Sequence, residues 1–130
     1  MYRRVSLIVT ILAFCGLLSV LLAACTIRNA SAITGPSVHM GPTNFLQSSI
    51  TIQKGQRLTL IDDASDQHII TNGSWAGSTQ KPAKEPGAPT VNVTVSGTGS
   101  KATVGPFNTS GTFHLYCTIH QGMNLVVKVQ

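Results

Sequence analysis

The feature that most constrains this chain is a two-residue alternation of apolar and polar side chains, repeated in short bursts from Ser37 to its end. Ile50 and Ile52 alternate with Ser49, Thr51 and Gln53; after Lys54-Gly55, Leu58 and Leu60 alternate with Arg57 and Thr59. Val91, Val93 and Val95 flank Asn92 and Thr94, and Leu125, Val127 and Val129 close the chain. Phe113, Leu115 and Cys117 share one parity, His114 and Tyr116 the other. A period of two places alternate side chains on opposite faces of a strand, whereas a helix would need 3.6. Further strands are expected near Ser37–Met40, His68–Thr71 and Lys101–Val104. Seven to eight short strands with turn residues between them predict an all-β, antiparallel β-sandwich. The stretch from Gly73 to Pro89, rich in Ser, Gly and Pro, breaks the pattern and is expected to be a long surface loop.

Composition supports that class. Only 10% of the 130 residues are charged, against 12 Gly and 6 Pro, which disfavours charge-laced helices and acidic tails. No basic run alternates with aromatics, so nucleic acid is not an expected partner.

Residues 1–24 read as an address. Arg3 and Arg4 precede an uncharged apolar stretch from Val5 to Ala24. Such a stretch is long enough to span a bilayer, and its layout is also that of a secretory signal. Leu22-Ala23-Ala24-Cys25 resembles the lipobox of bacterial lipoprotein precursors, which implies that Cys25 is lipidated and becomes the mature N-terminus. A retained helix or a plainly cleaved signal are the alternatives, and all three place the domain outside the cytoplasm. The lipobox reading puts it on the outer face of the bacterial cell membrane, or in the periplasm. Residues 25–36, small and polar, then form a flexible tether, and residues 37–130 the domain. Removing Arg3 and Arg4 from the 9 Lys+Arg leaves 7 against 4 Asp+Glu, a net of +3, which is no polyanion-binding surface. With Cys15 in the signal and Cys25 lipidated, Cys117 is the one thiol of the folded domain, so no disulfide framework is expected.

Cys117, His120 and Met123 follow one another at three-residue intervals in Cys117-Thr118-Ile119-His120-Gln121-Gly122-Met123. Taken singly they read as a buried thiol, a turn histidine and a core methionine. A thiolate, an imidazole and a thioether on one short loop instead make a soft donor set that selects copper. Two His, one Cys and a weak axial Met are the ligands of a blue-copper centre, so a second histidine is needed. His114 has the opposite parity to Cys117 and should point away. His39, beside Met40, lies on an expected edge strand. His68 enters a strand ahead of Ile69-Ile70 and is chosen. The expected cofactor is one copper ion held by His68, Cys117, His120 and Met123.

These residues, with Gly105-Pro106-Phe107 and the strand from Gly111 to Cys117, resemble the small cupredoxins: plastocyanin, pseudoazurin and, most closely, amicyanin, whose short Cys-x-x-His-x-x-Met loop has the same spacing. The resemblance spans about residues 37–130. It implies a Greek-key sandwich and a one-electron carrier that shuttles between Cu(I) and Cu(II), passing electrons through a His120 edge. Redox proteins are the implied partners, the membrane is reached through the lipid, and a monomer that is not an enzyme is expected. A copper carrier or storage protein using the same ligands is the alternative. A Cys117/His120 hydrolase lacks an orienting Asp or Asn in the segment. Two departures stand out. Ile69 occupies a position commonly Asn in the family, so the ligand loop must be fastened another way. Ile119 replaces a frequent Pro, giving a backbone N–H that could reach the Cys117 sulfur. Trp75 and Tyr116 are expected to anchor loop and sheet, or else to flank a docking edge. Lys81 and Lys84 are expected on a solvated loop.

Overall fold

A computed structural model describes residues 35–130. The signal segment, Cys25 and all but the last two residues of the tether lie outside the described residues. Among the described residues there are nine strands and no helix: β1 (Ser37–Met40), β2 (Ser49–Ile52), β3 (Leu58–Asp62), β4 (Gln67–Ala76), β5 (Thr79–Pro82), β6 (Asn92–Ser96), β7 (Lys101–Val104), β8 (Gly111–Cys117) and β9 (Asn124–Val129). They form a sheet of three, ordered β1-β3-β7, and a sheet of six, ordered β2-β9-β8-β4-β5, in which β6 also pairs with β4.

The alternation becomes burial. Val38, Met40, Leu58, Leu60, Ile70, Phe113, Leu115, Leu125 and Val127 are buried in one core with Phe107, whose ring lies 5.9 Å from that of Phe113. Burying one such side chain contributes about 1.5–3 kcal/mol, so this core drives the closure of the sheets.

Three expectations need correction. The sandwich is not wholly antiparallel: β1 pairs with β3, and β2 with β9, in parallel. β1 and β3 belong to one sheet while the intervening β2 belongs to the other, so the chain crosses between sheets before returning in the same direction. Period two is the same for either direction of pairing, so the pattern did not separate them. The strand number is nine, not seven or eight. The extra strand, β5, lies in the segment expected to be a loop. There β4 runs on to Ala76 and pairs antiparallel with β5, Gly73 opposite Pro82 and Trp75 opposite Gln80. β5 is exposed throughout, so it carries no apolar alternation to betray it. Gly73 makes the hairpin possible: it has φ 124°, and a Cβ there would collide with the Lys81 carbonyl and lie 2.8 Å from the Ala83 nitrogen.

Candidate metal centre

Three strand ends meet at one end of the six-stranded sheet. β8 pairs with β4 so that Cys117, its last residue, stands opposite Ile70. Two positions before Ile70, the same inward face of β4 carries His68. Loop 118–123 then turns the chain into β9. It is closed by backbone bonds from Cys117 N to Met123 O (3.0 Å) and from Met123 N to His120 O (3.2 Å). His68 and Cys117 are fully buried and His120 is half-buried.

The donor atoms converge. His68 Nδ1 and His120 Nδ1 are 3.2 Å apart, and Cys117 Sγ lies 3.9 Å from the first and 3.5 Å from the second. Atoms bound to one ion at about 2.0–2.3 Å stand no more than about 4.6 Å apart, so all three pairs fit a shared ion. Among the described residues this is the one cluster of His, Cys or carboxylate groups close enough to hold a metal. Met123 is buried and tied by its backbone to both Cys117 and His120, which sets a thioether beside the other three. His68, Cys117, His120 and Met123 thus make a ligand set of cupredoxin type, chemically suited to a soft ion.

The other histidines have separate engagements. His39 Nδ1 faces the Asp63 carboxylate at 2.9 Å, half exposed on β1 at the sheet edge. His114 Nδ1 meets Glu85 at 2.6 Å. Met40 is a core residue. Lys81 is exposed, and Lys84 donates to Thr90 Oγ1 at 3.1 Å.

The ligand loop is fastened without an asparagine after His68. Thr118 N donates to Ile69 O (2.9 Å), a backbone bond indifferent to the side chain at 69. The β4–β5 hairpin adds two straps: Trp75 Nε1 donates to Cys117 O (2.8 Å), and Gln80 Nε2 donates to Thr118 O (3.0 Å). Tyr116 donates to Gln80 Oε1 (3.2 Å) and packs edge-on to Trp75 at 6.2 Å. Tyr116 has the parity of the outer face, yet it is only 1% exposed, because the hairpin covers it. The two aromatics therefore anchor loop to sheet. The bond imagined from Ile119 N to the Cys117 sulfur is not formed; Ile119 is instead 48% exposed beside His120.

Sequence reasoning missed Asp62. It ends β3 on the inward parity of Leu58 and Leu60 and has no exposed surface. Its Oδ1 accepts from Ala64 N (3.0 Å), while Oδ2 has no partner. His68 Nε2 makes no hydrogen bond of good geometry; the Gly41 backbone carbonyl faces the ring, and Asp62 Oδ1 stands 3.7 Å from Nε2. Burial lowers the His68 pKa below 6.5, outweighing the opposing pull of the Asp62 charge; the neighbouring His120 lowers it further.

No family model matches the sequence, and no curated protein matches it. Solved structures do match in fold. Amicyanin from Paracoccus versutus (Thiobacillus versutus) superposes with a TM-score of 0.58 at 17% identity, covering 78% of this chain and 86% of that one. A purple cupredoxin from Nitrosopumilus maritimus gives 0.57 at 16% identity, over 73% and 99% of the two chains. An amicyanin variant solved with Cu(I) gives 0.53 at 16%, over 78% and 87%. The fold is that of the cupredoxins. In this chain Cys117 ends β8, and His120 and Met123 lie on the loop that joins β8 to β9.

Proposed function

We propose that this chain is a type 1 copper protein, anchored to the outer face of a bacterial membrane through Cys25, that carries single electrons between extracytoplasmic redox partners. The observation that carries the reading is the convergence of His68, Cys117 and His120 donors at 3.2–3.9 Å within a cupredoxin fold. One copper ion would supply the Cu(I)/Cu(II) couple, and His68 and His120 would hold it as imidazoles, Cys117 as a thiolate and Met123 as a thioether.

The chain's own residues supply the rest. The buried side chains of Ile70, Leu115 and Leu125 keep water from the inner side of the site. Thr118, Trp75 and Gln80 tie the loop to β4 and β5, so the donors keep one arrangement while the charge changes, which lowers the cost of each transfer. His120 is the ligand with exposed surface, and Ile119 next to it offers an apolar spot for a partner. This function requires no substrate cleft.

The test is the electron self-exchange rate of the copper-loaded protein, read from NMR line broadening in mixed oxidation states, together with copper loss to a chelator. Fast exchange with retained copper is expected. Slow exchange with ready surrender of copper would make the protein a carrier or store of the metal instead.

A further inference from the structure

Asp62 is a carboxylate in a place that normally excludes one. It lies at the inner end of β3, beyond Leu58 and Leu60, with no exposed surface. Its backbone is fixed from both sides: Asp62 N donates to Ser100 O (2.9 Å), and Gly99 N donates to Asp62 O (2.6 Å). The side chain is half fixed, through Ala64 N on Oδ1, leaving Oδ2 unsatisfied. Across the gap between the two sheets stands the other unsatisfied polar atom of this region, His68 Nε2, 3.7 Å from Oδ1. That separation is about half an ångström beyond hydrogen-bond reach. Asp62 Oδ2 and His68 Nε2 each lack a hydrogen-bond partner, and a buried polar atom left so is costly unless a neighbouring group answers it.

The chemistry of the ring gives the contact a direction. His68 presents Nδ1 to Cys117 and His120, so this nitrogen must be free of a proton to bind a metal. A neutral imidazole carries one proton, which then resides on Nε2, the atom facing Asp62. We propose that Asp62 is a positioning residue for the metal centre: its carboxylate takes the Nε2–H of His68, selects the tautomer with a free Nδ1, and places a negative charge behind the ligand. The proposal rests on the copper reading for its redox consequence, but not for the contact itself. A carboxylate behind a metal-bound imidazole strengthens the ring as a donor and favours the more highly charged ion. Asp62 therefore biases the site toward Cu(II) and holds the reduction potential down.

Two measurements on the full-length chain decide it. In the metal-free wild-type protein, long-range ¹⁵N–¹H correlations of the His68 ring should show the Nε2–H tautomer, with the proton protected from exchange. An Nδ1–H tautomer would overturn the proposal, whether or not the protein ever binds copper. In the copper-loaded protein, Asp62→Asn keeps the shape and removes the charge. Its Cu(II) affinity should fall about 10-fold and its Cu(I) affinity less, so the potential rises while the thiolate absorption band stays in place. An Asp62→Asn protein whose Cu(II)-to-Cu(I) affinity ratio equals that of a blue wild type would overturn the proposal and leave the copper reading standing. A wild type without a thiolate band would defeat the copper reading, and the tautomer would still judge the contact. Should Asp62→Asn fail to fold, the wild-type tautomer decides alone.

Discussion

A histidine with no exposed surface must stay neutral or find a counter-charge, and in His68 burial outweighs the nearby carboxylate. The consequence for stability has a definite sign. In the unfolded chain the ring takes a proton as pH falls through about 6.5; in the folded chain it resists until lower pH. The unfolded state then binds more protons, so the metal-free protein loses stability as pH falls below about 6.5, with a slope approaching about 1.4 kcal/mol per pH unit. Above that pH the His68 contribution is constant. Denaturant midpoints of the metal-free protein and of His68→Gln, followed from pH 8 to pH 5, isolate the effect. Their difference should shrink on the acid side; curves that stay parallel would contradict the lowered pKa. Asp62, the other half of the pair, was legible in principle: Leu58, Leu60 and Asp62 share one parity, and a carboxylate on an inward parity calls for a partner. Its neighbours Asp63 and Asp66 are exposed, and a cluster of acids ahead of a strand does not by itself show which member is buried.

At the scale of elements, the ligand loop and the β4–β5 hairpin behave as one unit. Trp75 gives an indole N–H to the carbonyl of Cys117, and its backbone exchanges two bonds with the Asn124 side chain at 2.7 and 3.1 Å. Trp75→Phe retains most of the aromatic packing on Tyr116 but leaves that carbonyl without its donor. The metal-free variant should lose about 1–2 kcal/mol in chemical denaturation, and an unchanged midpoint would show that the strap contributes nothing. The spacing from Cys117 to Met123 was readable because three-residue intervals on a short loop leave few places for the donors to go. The strap was not readable. β5 is exposed on every residue, and the partners Trp75, Gln80 and Cys117 O are joined only by a hairpin whose sequence traces are Gly73 and the Gly77-Ser78 turn, with no apolar alternation beyond it. Ile69 illustrates the same limit from the other side: the lost asparagine is made good by the Ile69 carbonyl, an atom every residue type has.

For the whole molecule, period two led to two packed sheets because Leu58, Leu60, Phe113, Leu115, Leu125 and Val127 all bury the parity the alternation gave them. The direction of β1 against β3 and of β2 against β9 was hidden, since strand direction leaves the face pattern unchanged. No helix among the described residues is long and apolar enough to cross a membrane, and the proposed attachment rests on Cys25. Cys25→Ser should move the protein from the membrane fraction to the soluble one, or leave an unprocessed precursor at higher mass; membrane association at mature mass would contradict lipidation.

The central claim is that Cys117 completes one copper site with His68, His120 and Met123. The most direct measurement adds one equivalent of Cu(II) to the full-length protein and to Cys117→Ser, and records visible and paramagnetic-resonance spectra. An intense blue thiolate-to-copper band with narrow copper hyperfine splitting is expected in the wild type, and its loss in the variant. A pale spectrum that is the same in both proteins would contradict it.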